Sequence, residues 1–75
     1  MDNTKPAGDL AIGDHWIDMN AHNKTYNRIL RVVGIIRGVT PGIVRIIGKD
    51  IDTNEEHVFN FYRVNVVRLV NQGIN

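Results

Sequence analysis

Side chains able to perform nucleophilic or acid–base chemistry are few in this chain. It has no cysteine and no serine, so its hydroxyl groups are those of Thr4, Thr25, Thr40, Thr53, Tyr26 and Tyr62. His15, His22 and His57 are scattered, and none stands at a spacing that pairs a base with a nucleophile. Asp14 and Asp18 fall on one side of an extended strand, as paired carboxylates would. Two solvated strand-end acids have the same spacing, and acids are mostly exposed. Asp50-x-Asp52-x-Asn54 matches the opening of a calcium loop, but the positions that require Gly and a bidentate Glu hold Glu55 and Phe61. Asp14, His15 and His22 lack the tight spacing of a zinc site. The glycines at 34, 38, 42 and 48 are spaced for bends rather than for cradling phosphate. The expectation is a protein that is not an enzyme, with no metal and no cofactor.

Charge distribution says more than net charge, which is +1. From Met19 to Lys49 every charged residue is basic: Lys24, Arg28, Arg31, Arg37, Arg45 and Lys49. The acids Asp50, Asp52, Glu55 and Glu56 follow directly. Arginine forks two hydrogen bonds to phosphate and stacks on bases. An arginine-bearing strand face flanked by Trp16, Tyr26 and Tyr62 would therefore suit single-stranded nucleic acid. Solvated outer-face arginines that discourage edge pairing would give the same pattern.

The elements that must position these residues read as β throughout. Residues 1–9 are polar, carry Pro6 and Gly8, and predict a mobile tail. Asp14–Asp18 predicts a first strand, and the Asn-rich stretch from Met19 to Asn27 a long loop of the kind that carries binding residues. Arg28–Arg37 predicts a strand with a bulge near Gly34, Ile43–Ile47 a third strand, and Glu55–Tyr62 a fourth. On the fourth, His57, Phe59 and Phe61 share one face, and Glu56, Val58, Asn60 and Tyr62 the other. Arg63–Asn65 predicts one helical turn before a closing strand at Val66–Val70. The domain would span residues 10–71, with a second tail at 72–75. Ile35-Ile36 and Ile46-Ile47 place apolar groups on both faces of their strands, more than one core requires.

Gly13-Asp14-x-Trp16 and Phe61-Tyr62-Arg63-Val64-Asn65-Val66-Val67-Arg68-Leu69 carry a resemblance to SH3-like small barrels, including Tudor and KOW-type domains. The resemblance runs over roughly residues 12–70 and implies a five-stranded all-β barrel with one short helical turn before the last strand. A weaker similarity is to the plasmid type II dihydrofolate reductases, small SH3-like chains that assemble around a shared active pore. Their Val-Gln-Ile-Tyr segment corresponds here to Phe59-Asn60-Phe61-Tyr62, which keeps only the tyrosine.

The sequence thus predicts a small noncatalytic binding module, of the kind found as bacterial or phage accessory proteins. It would act by binding a protein or by self-association into a homo-oligomer. The alternative is an arginine-rich face that binds DNA or RNA. Candidate contact residues are Trp16, Lys24, Tyr26, Arg28, Arg31, Arg37, Arg45 and Tyr62. The start of the chain has no basic, apolar leader, and no apolar run approaches the roughly 18 residues of a membrane span. A cytoplasmic protein with no membrane partner is the corresponding expectation.

Overall fold

The computed structural model describes residues 3–70. Its strands are β1 (Thr4–Pro6), β2 (His15–Ile17), β3 (Ile29–Arg37), β4 (Ile43–Asp50), β5 (Glu56–Tyr62) and β6 (Val66–Leu69). They form one six-stranded antiparallel sheet in the order β1-β6-β2-β3-β4-β5, with β1 and β5 at its edges and no ladder joining them. Among the described residues no helix is long and apolar enough to cross a membrane.

The core lies on one face of this sheet. β4 alternates strictly, with Val44, Ile46 and Asp50 buried and Ile43, Arg45, Ile47 and Lys49 half-exposed on the other side. Trp16 from β2 reaches across the inner face and is 1% exposed. Its ring lies edge-on to Phe59 and Phe61, with centroids 5.3 and 6.2 Å away. Gly48 makes room for it: a Cβ there would stand 2.5 Å from Trp16 Cη2. The bulge expected near Gly34 is present, since Val32 pairs with Gly48 and Gly34 with Ile47, leaving Val33 as the extra residue. The bulge resets the alternation, so that Ile35 packs on the core and Ile36 turns outward.

Three expectations are corrected. Residues 4–9 are ordered structure, not tail. Thr4–Pro6 pairs with β6, Ala7–Asp9 forms a 3-10 turn, and Ala7 is fully buried. Composition conceals this because an edge strand tolerates Pro6 and polar side chains. The segment is held instead by backbone bonds, Ala7 N–H to the Asn65 carbonyl at 2.6 Å and Gly8 N–H to that of Arg63 at 3.0 Å. The strand count among the described residues is accordingly six. Finally, β5 joins β6 through a hydrogen-bonded β-turn, Asn65 N–H to the Tyr62 carbonyl at 3.0 Å, rather than a helical turn. The proposed tail at 72–75 lies outside the described residues.

Candidate interaction surfaces

Strand register decides which side chains meet on the outer face of β3, β4 and β5. Ile43 stands beside Tyr62, Arg45 beside Asn60, Ile47 beside Val58, and Lys49 beside Glu56. From the other side Ile36 joins Arg45, Gly34 joins Ile47, and Arg31 joins Lys49. His15 of β2 then extends that last row beyond Arg31. The middle of the face is therefore aliphatic and aromatic, and its far end is basic. Within the middle, Val58 is 60% exposed, Tyr62 64% and Ile36 39%. Arg45 is the charge there, and its Nε donates to Asn60 Oδ1 at 3.1 Å.

The sequence-nominated residues do not assemble into one arginine face. Arg28 is committed to Asp50, donating from Nε at 2.8 Å and Nη2 at 3.2 Å, with Asp52 at 3.8 Å. This fork holds the Asp50 carboxyl at about 2 although its burial works the other way, and the Asp52 and Thr53 N–H groups add to the fork's effect. Asp50 in turn raises the pKa of Arg28. The Asp50 oxygens are thus engaged by a guanidinium and backbone donors. Arg37 donates to the carbonyls of Gly8 at 3.1 Å and Leu10 at 3.5 Å, fastening the end of β3 to the 3-10 turn. Trp16 is core and offers no exposed ring to stack on. Lys24 and Tyr26 are exposed on the loop after β2, and Tyr62 lies on the outer face. Arg31 is exposed, and among the described residues it has no acidic partner within 4.0 Å.

A buried acid also organises the loop after β2. Asp18 accepts from the Asn20 N–H at 3.0 Å, Asn23 Nδ2 at 3.0 Å and Thr25 Oγ1 at 2.5 Å. Asp14 is used separately. Burial pushes its pKa upward, but the Ala11 N–H and the Lys5 ammonium outweigh it and hold the carboxyl below its ordinary value. The two acids therefore serve different contacts. Where the chain leaves β2 after Ile17, a cleft of about 530 Å³ opens, bounded by Asp18, Met19, Phe61, Asn65 and Val66. Its buried acid is already saturated by the loop. Among the described residues no three His, Asp or Glu side chains gather as a metal site.

The segment similar to the reductase pore splits between the faces: Phe59 is buried and Phe61 half-buried, while Asn60 and Tyr62 look outward. The sequence singles out the Ile35-Ile36 and Ile46-Ile47 runs as apolar on both faces, but it did not nominate Val58, His15 or Lys49 as contact residues. Period-two alternation around Tyr62 points to Val58. The row of His15, Arg31 and Lys49 depends on register across three strands and has no signature in the chain itself. No protein-family model matches the chain, and no curated protein matches it.

Proposed function

We propose that this chain is a noncatalytic SH3-like barrel module that self-associates through the outer face of β3, β4 and β5. The observation that carries the reading is the exposed cluster of Ile36, Val58 and Tyr62 around half-buried Ile43 and Ile47. A small domain has little apolar area to spare, and leaving this much in water is costly unless something covers it. A second copy suits the face because a two-fold axis brings the same patch against itself. The middle of the face carries the single charge of Arg45, already hydrogen-bonded to Asn60, so pairing like with like buries no bare acid. β5 also lacks the usual protection of an edge strand. It has no lysine, no proline and no bulge, and its one acid, Glu56, is at its end.

Sedimentation velocity of the wild-type chain against Val58→Asp tests this. The expected result is a dimer or larger species that the substitution reduces to the 8.5 kDa monomer while circular dichroism shows the fold retained. A monomeric wild-type chain at several hundred micromolar would refute the reading.

A further inference from the structure

The basic end of the outer face has a separate character. His15, Arg31 and Lys49 stand opposite one another in register across β2, β3 and β4. With Ile51 and Asn54 they line a concavity of about 160 Å³. Like charges directly opposite in a sheet repel. Among the described residues neither Arg31 nor Lys49 has an acid within 4.0 Å.

The acidic block that follows Lys49 in sequence would be expected to neutralise the row, but three of its four side chains go elsewhere. Asp50 is an inner-face residue gripped by Arg28, and Asp52 also approaches Arg28. Glu55 approaches His57, which shares the inner face with its partner Gly48. Asp14, next to His15, is held by Lys5 and the Ala11 N–H. Glu56 stands opposite Lys49 in register and is the one acid of the block on the outer face. The hairpin thus gives three of its four acids to Arg28 and His57 and leaves Glu56, with no ion pair to Lys49 within 4.0 Å, as the one acid beside the cations of the row.

We propose that His15, Arg31, Lys49 and Asn54 form a binding site for a phosphate group. A guanidinium, an ammonium, an imidazole and a side-chain amide converge on one concavity, and each can donate to phosphate oxygens. The concavity is well below the roughly 300 Å³ at which drug-sized pockets begin, so it takes the phosphate itself and not a base or sugar. An oxyanion there relieves the repulsion between Arg31 and Lys49. The site stands apart from the apolar middle of the face and does not depend on self-association.

Amide chemical shifts followed during titration with inorganic pyrophosphate, and separately with a mixed-sequence single-stranded DNA decamer, test the proposal at low salt. The expected result is saturable shifts centred on His15, Arg31, Lys49 and Asn54. Arg31→Gln and Lys49→Gln should each weaken binding roughly tenfold or more, and Arg68→Gln on β6 should leave it unchanged. Tighter binding of the decamer, falling steeply with salt, identifies a nucleic-acid backbone as the source of the phosphate; equal or better binding of pyrophosphate identifies a free phosphate compound. A thermal readout accompanies the titration. Pyrophosphate should raise the melting temperature of the wild type and not of Arg31→Gln, which without phosphate should melt at or above the wild type. Absence of shifts at about 10 mM pyrophosphate, or shifts untouched by both site substitutions, would overturn the proposal.

Discussion

Ile46 and Ile47 are neighbours in β4 with identical side chains and opposite circumstances. Ile46 is fully buried, paired with Ile35 and Phe59 on the face where Trp16 closes the core. Ile47 points the other way, between Gly34 and the exposed Val58. A half-covered antiparallel sheet ordinarily alternates apolar inside with polar outside. Here the outside is apolar as well over the middle of the sheet. The inner face is explained by the fold of one chain. The outer face has no such explanation within the chain, and it is where an interaction has to be sought.

Substitutions on the two faces should separate sharply. Ile46→Ala removes a fully packed side chain and should cost about 3 kcal/mol in urea unfolding, a large share of the stability of so small a domain. If the loss equals that of Ile47→Ala in a monomeric background, the distinction between faces fails. Gly48→Ala should cost about 2 kcal/mol, because the new methyl group meets Trp16, Phe59 and Leu30 at 2.5, 3.2 and 3.3 Å. Near-ultraviolet circular dichroism should report the displaced indole.

Asp50→Asn probes the polar support of the same hairpin. The carboxyl is depressed to about 2, so its contribution is complete above about pH 4, where the unfolded chain is also ionised, and is lost as pH falls through 2. Solvent around the 38%-exposed Arg28 side chain screens the pair, so about 1 kcal/mol is expected near neutral pH. The stability difference between variant and wild type should vanish at the acid end of a pH series. The smallest effect belongs to Val58→Asp, which should change the unfolding free energy of the monomer by less than about 0.5 kcal/mol while changing the assembly most.

Much of the fold was legible in the sequence. The β-branched density of residues 28–47, the bulge at Gly34 and the two faces of β5 are local properties, and each is found where the pattern places it. The N-terminal strand was not legible because its bonds run from backbone to backbone, through Pro6 and polar residues that carry no strand signal. The surfaces were harder to read. Arg28, Arg31, Arg37 and Arg45 look equivalent in sequence. Yet Asp50 lies 22 positions from Arg28 and the Gly8 carbonyl 29 from Arg37, so only tertiary structure reveals which guanidinium is committed. Trp16 was nominated for contact because an aromatic residue suits both a core and an interface; Gly48 beneath it decides for the core.

The most direct test of the outer-face account is the urea midpoint of the wild-type chain measured from micromolar to several hundred micromolar protein. A chain whose outer face is covered by a second copy must gain stability with concentration by mass action. The midpoint should therefore rise across the series for the wild type and stay fixed for Val58→Asp. A wild-type midpoint that does not move would contradict the account and leave the face bare.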